Sequence, residues 1–199
     1  MEGTKPVNKK LAAALSGGAV LVLALSACTS DESNEELDAW AKKICDTALA
    51  PNAKIAAADA AINKVATDSE PEELQKVDSQ AFGDLAEGFE TRAASLKDAG
   101  APAGIDDGAK KQQDAISKLT AVSTAYTDLK KQVDGLNTKD QAKFASGLNE
   151  MSDGMKDVAT LRKNAVAALK QLEEGDAKKS LVKQASCKKA AASVSATDS

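Results

Sequence analysis

Residues 115–136 read AISKLTAVSTAYTDLKKQVDGL, and this stretch decides the fold class. Ala115, Leu119, Val122, Tyr126, Leu129, Val133 and Leu136 follow one another at alternating spacings of four and three. On a helix of 3.6 residues per turn those positions share one face. The alternation is the seam of helices packed side by side with a shallow left-handed crossing. Between the apolar positions stand Lys, Asp, Thr, Ser and Gln, which suit the solvent side.

The same pattern spreads outward in both directions. On the C-terminal side, Phe144, Leu148, Met151, Met155, Val158, Leu161, Ala165, Leu169 and Leu172 predict a fourth helix, with Thr138 as its N-cap and Gly175 at its end. A short last helix is expected over about 177–186, followed by a polar tail, 188–199, expected to be disordered. On the N-terminal side, Leu74, Val77, Ala81, Leu85, Phe89 and Leu96 predict a second helix over 71–99, with Ser69 as N-cap. Gly100-Ala101-Pro102-Ala103-Gly104 separates it from the third. Leu37, Trp40, Ile44 and Ala48, continued by Ile55, Ala58, Ile62 and Val65, predict a first helix broken or kinked near Pro51. Strand-like alternation is almost wanting. The expected fold is all-α: an up-down antiparallel bundle of about four long helices over 35–187, with a kinked first helix and a short C-terminal helix.

Composition narrows function by subtraction. The 199 residues contain no histidine, one Trp, one Tyr and three Phe. Without histidine, the commonest general base, the commonest transition-metal ligand and every Ser–His or Cys–His nucleophile pair are missing. Few aromatics remain for stacking platforms or sugar clefts. The formal charge is −4, and losing Lys5, Lys9, Lys10 and Glu2 with a leader makes it −6. An acidic surface is repelled by nucleic acid, so no nucleic-acid partner is expected. The acidic clusters Asp31-Glu32, Glu35-Glu36, Glu70/Glu72/Glu73, Asp106-Asp107 and Glu173-Glu174 lack the spacing of a calcium loop. Most stand where acids favour a helix start. Lys110-Lys111, Lys130-Lys131 and Lys178-Lys179 read as solvated faces. Neither a phosphate loop nor a nucleophile elbow occurs. No catalytic residue, metal or cofactor is therefore assigned, and the chain is not expected to be an enzyme.

The N-terminus carries the clearest signal. Lys5, Lys9 and Lys10 precede an uncharged apolar run from Leu11 to Ala24, shorter than the ~20 residues a bilayer-spanning helix needs. The run ends in Leu25-Ser26-Ala27-Cys28, which resembles the lipobox of bacterial lipoproteins. The resemblance implies a signal peptide over 1–27, cleavage between Ala27 and Cys28, and a diacylglycerol on the Cys28 sulfur. Two acyl chains hold a protein at a membrane where one would not. Residues 28–34 are then expected to be the lipidated Cys and a polar tether, at most ~20 Å long at ~3.3–3.6 Å per residue. The location implied is the extracytoplasmic face of the cytoplasmic membrane in a Gram-positive type of envelope.

With Cys28 committed to lipid, Cys45 and Cys187 remain. Two thiols in an exported chain are most simply a disulfide. In an up-down bundle the fourth helix ends beside the start of the first, so the last short helix can bring Cys187 back to Cys45. The alternative, a redox pair or metal site, lacks Cys-x-x-Cys spacing and histidine.

Beyond the lipobox, the chain resembles the "small secreted protein" lipoproteins of filamentous actinobacteria. The likeness lies in residues 8–15, Trp40-Ala41-Lys42-Lys43-Ile44-Cys45, Lys111-Gln112-Gln113-Asp114-Ala115, residues 138–144 and Ser186-Cys187. It implies location and fold, with no catalytic activity to carry over. The expected role is a non-enzymatic interaction module tethered to the membrane and meeting an envelope protein. The alternative is a binding protein holding a small apolar ligand or lipid between its helices, with Phe144, Met151 and Met155 as an adaptable lining.

Overall fold

A computed structural model describes residues 30–65 and 69–189, with side chains from Glu35 onward. Cys28, the leader and residues 190–199 lie outside the described residues. Four long helices and one short one follow in order: α1 (Ser30–Lys64), α2 (Pro71–Ala99), α3 (Gly108–Asp134), α4 (Gln141–Leu172) and α5 (Asp176–Lys183). The long helices run antiparallel, and there is no strand among the described residues. A further helical turn spans 185–189, so Lys188 and Lys189 belong to structure and not to the tail.

The α3 seam packs as its spacing requires. Ala115, Leu119, Val122 and Val133 are fully buried, and Leu129 and Tyr126 nearly so; Leu136 is half-buried past the helix end. Leu85 of α2 and Leu172 of α4 complete the innermost layer. Phe82 and Phe89 lie on either side of Tyr126, with ring centroids 6.1 and 6.0 Å away, distances at which aromatic pairs attract.

Local chemistry sets the helix ends, with three departures from expectation. Glu70, and not Ser69, precedes α2, because Pro71 takes the first helical position, where its missing N–H costs nothing. Asp140, and not Thr138, caps α4: its carboxylate accepts the Lys143 N–H at 3.1 Å. Asn137 instead accepts the Lys139 N–H at 3.0 Å, a local turn that leaves Thr138 outside the helix. The tether also departs, since α1 already begins at Ser30, two residues after Cys28.

Pro51 sits inside α1, which continues through it without interruption. Pro51 is buried, and its carbonyl stands close to Gly88 of α2. A Cβ on Gly88 would stand 2.6 Å from Ile55 Cγ1 and 3.3 Å from the Pro51 carbonyl oxygen, so glycine is what lets the helices meet there.

The four walls of the bundle are unequal. α1 packs on α2, α2 on α3 and α3 on α4, and α5 turns back onto α1. α1 and α4 instead meet through long side chains, across a seam.

Candidate functional site

The chain has two arginines among its 26 basic residues, and both sit at the α1–α4 seam. Arg162 of α4 grips Asp59 of α1 with both terminal nitrogens, Nη1 to Oδ1 and Nη2 to Oδ2, each at 2.8 Å. Nη1 also donates to the Tyr126 hydroxyl at 3.0 Å. The guanidinium lies 5.4 Å from the centre of the Phe89 ring, within cation–π range. A planar fork matched to a carboxylate is what arginine supplies and lysine does not. The Asp59 hydrogen bond raises Arg162 further above its already high value, and burial raises the Tyr126 phenol above its ordinary one. Neither shift brings a proton donor or acceptor toward neutrality. The cluster joins α1, α3 and α4 by hydrogen bonds and sets the guanidinium against Phe89 of α2.

Nearer the N-terminal end of α1, Arg92 of α2 and Glu173, just beyond α4, flank a crevice walled by Ile44, Ala48, Leu96 and Leu169. Its volume is about 30 Å³, room for a water molecule or two and far below a ligand cavity of ~300 Å³ or more. Burial pushes the Glu173 carboxyl up from its ordinary value, an effect that Arg92 offsets in part. Burial likewise lowers Arg92, with Glu173 pulling the other way. Glu173 thus ends a helix, half-buried and facing a cation, where the sequence showed only one of a pair of acids without calcium-loop spacing.

The predicted disulfide is present. Cys45 and Cys187 are joined with an S–S distance of 2.01 Å and Cα atoms 4.8 Å apart, across 142 positions of sequence. On a chain-entropy estimate, a loop of that length contributes up to about 5 kcal/mol. Cys28 and Ala27, where lipidation and cleavage are expected, lie outside the described residues.

The remaining candidates disperse. Lys130 pairs with Asp134, Lys131 with Asp128 and Lys179 with Asp176, all exposed. Lys110 and Lys111 border an open groove with Asp107, Asp114 and Gln171. Phe144 and Met151 are buried while Met155 is exposed, so the three do not converge on one cavity. Among the described residues, no three His, Cys, Asp or Glu side chains could hold a metal ion, and no helix is long and apolar enough to cross a membrane.

One surface feature was not foreseen. Ala57, Ala58 and Ala61 of α1 and Val77 and Ala81 of α2 floor a groove of about 410 Å³, rimmed by Glu73, Lys76 and Asp84. Small side chains at helical spacing allow close helix contact; here they also leave a trough. Comparison with protein families, with curated proteins and with solved structures finds no match to this chain.

Proposed function

We propose that this chain is a non-enzymatic interaction module, held by a lipid on Cys28 at the extracytoplasmic face of the membrane, and resembling the actinobacterial small secreted lipoproteins. The observation that carries the reading is the alanine-floored groove between α1 and α2. It lies toward the C-terminal end of α1, the end remote from Cys28. A shallow apolar trough with a charged rim of both signs fits an amphipathic helix, whose apolar face enters and whose polar flanks meet the rim. The long-range polar side chains point the same way. The forks of Arg162 and Gln75 are spent joining helices, leaving contact as the chemistry the surface offers.

The test is photo-crosslinking on intact cells with the probe at the exposed rim residue Gln80, and a control probe at Lys163 on α4. The expected result is one envelope protein captured from Gln80, not from Lys163, and lost in the Cys28→Ala form. Capture of lipid or wall material alone from both positions would replace the module with a spacer. A hydrolase or transferase activity abolished by a point mutation would overturn the reading outright.

The second reading, an apolar ligand between the helices, is favoured only by the crevice beside Arg92. At about 30 Å³ it would admit a ligand only if the α1–α4 seam parted.

A further inference from the structure

The last fourteen described residues, 176–189, form a strap across α1 whose two ends are fastened differently. At the near end, Glu173–Gly175 joins the strap to α4. Gly175 has φ +64°, and nothing lies within 4 Å of where a Cβ would be, so this turn is both glycine-dependent and uncrowded. At the far end, Cys187 is bonded to Cys45. Between the ends, α5 packs on α1 and on no other helix to a comparable extent.

Beneath the strap, Leu37, Ala41 and Cys45 stand four residues apart on one face of α1, and all are buried. The strap's own contribution is slight. Ala177, Ser180 and Leu181 are buried, Cys187 is half-buried, and Val182 faces solvent at 55% exposure. Its polar fastenings are few and mostly at the surface: Lys183 to Asp38 at 3.2 Å and the Ser186 hydroxyl to Asp46 at 2.6 Å are exposed, the Gln184 amide to the Asp38 carbonyl at 3.4 Å is part-buried, and the buried Ser180 hydroxyl faces the Asp38 carboxylate. Fixing fourteen residues costs conformational entropy at every one. Burial of one leucine and one alanine with a handful of mostly exposed polar contacts does not balance that cost. The covalent bond does, by leaving the strap little freedom to lose.

We infer that residues 176–189 are a redox-latched strap: reducing Cys45–Cys187 lets it swing about Gly175 and uncover the Leu37–Ala41–Cys45 face, while the four-helix body stays folded. A dithiol supplies the two electrons and two protons. The Cys45–Cys187 bond breaks to two thiols, and the reductant closes to a cyclic disulfide. The body keeps its fold because its innermost layer, Leu85, Leu119, Val122, Leu129, Val133 and Leu172, lies on α2, α3 and α4, outside the strap. The groove named above lies elsewhere on α1, so the strap stands or falls independently of it.

The experiment is hydrogen exchange with mass spectrometry on the full mature chain, oxidised and after dithiothreitol, followed by an iodoacetamide pulse. Reduction is expected to speed exchange of the 176–183 amides at least tenfold and to leave 119–133 unchanged. Cys45 and Cys187 should both become alkylated. Cys187→Ser should show the same open strap without reductant. A strap that stays protected over an unreactive Cys45 would show that packing alone holds it, overturning the latch. Joint loss of protection in 119–133 would overturn it too, since the strap would then be part of one cooperative body.

Discussion

Arg162 and Asp59 stand 103 residues apart in sequence and join α4 to α1 through two parallel hydrogen bonds of 2.8 Å. They do so at the one wall of the bundle where neighbouring helices are not closely packed. Both side chains keep about a third of their surface exposed, 34% for Arg162 and 33% for Asp59, so solvent weakens the pair without dissolving it. Tyr126 takes the third bond and brings α3 into the joint.

Arg162→Met should lower stability by about 1–2 kcal/mol, above the median for an exposed pair and below the cost of breaking a dry one. Asp59→Asn should cost a similar amount, and the double variant less than the sum. Tyr126→Phe should cost under about 1 kcal/mol, because the aromatic stacking survives. Urea unfolding of the four proteins gives the cycle. Strict additivity would mean that the fork contributes nothing as a pair.

The contrast between that joint and the α3 seam shows what was legible in the sequence. Ala115 through Val133 repeat at the period of a packed helix, and a local pattern reports local burial. The disulfide was legible by elimination, with two thiols left after Cys28. Arg162–Asp59 has no local signature, since a side chain on one helix chooses a partner that only the assembled bundle brings near. The one available clue was compositional: two arginines among 26 basic residues, in a chain that otherwise uses lysine. The α4 cap was missed for a different reason. Asn137, Thr138 and Asp140 all have capping side chains, and Asn137 closes a turn of its own that moves the helix start two residues on. The alanine groove went unread because alanines at helical spacing signal close approach and a shallow trough alike.

Gly88 and Gly83 lie in the same helix and should respond oppositely to alanine. At Gly88 the new methyl meets Ile55 Cγ1 at 2.6 Å and the Pro51 carbonyl oxygen at 3.3 Å, so α1 must move. Overpacking of that kind costs about 1–3 kcal/mol. At Gly83 the nearest atoms are Cδ and Cε of Lys130 at 3.6 Å, the far part of a flexible side chain. There the helix preference for alanine should show as a gain of about 0.5–1 kcal/mol. Thermal unfolding of both variants decides it, and a Gly88→Ala protein as stable as the parent would refute the close approach at Pro51.

Gln75, on the first turns of α2, donates its amide nitrogen to the carbonyls of Val133, Leu136 and Asp134 at 2.8, 3.1 and 3.3 Å. It adds from another helix a donor to the last carbonyls of α3, of which Val133 also accepts the Leu136 N–H at 3.1 Å. Gln75→Ala should cost about 1 kcal/mol. Gln75→Glu should cost more, about 1–3 kcal/mol, because a carboxylate has no proton to donate and adds negative charge beside three carbonyl oxygens. Exchange at the Gly135 and Leu136 amides should quicken in both variants. Equal stability of Ala and Glu at this position would remove the cap from the account.

Glu173 gives the fold a pH dependence of calculable sign. Burial holds its carboxyl above the ordinary value of 4.5, with Arg92 pulling part of the way back. A carboxyl whose folded-state value is raised binds its proton more readily in the folded chain than in the unfolded one. Above the folded value it therefore subtracts from stability, and the penalty fades as pH falls through that value toward 4.5. Glu173→Gln should accordingly raise the urea midpoint at pH 7. The advantage should shrink steadily as the pH is lowered and be gone below about 4.5. Titrating the difference between the two proteins cancels every carboxylate they share, so the window belongs to Glu173 alone. A Gln variant less stable than the parent at pH 7 would reverse the argument: attraction to Arg92 would then outweigh burial, and the crevice would hold an ion pair in place of a strained acid.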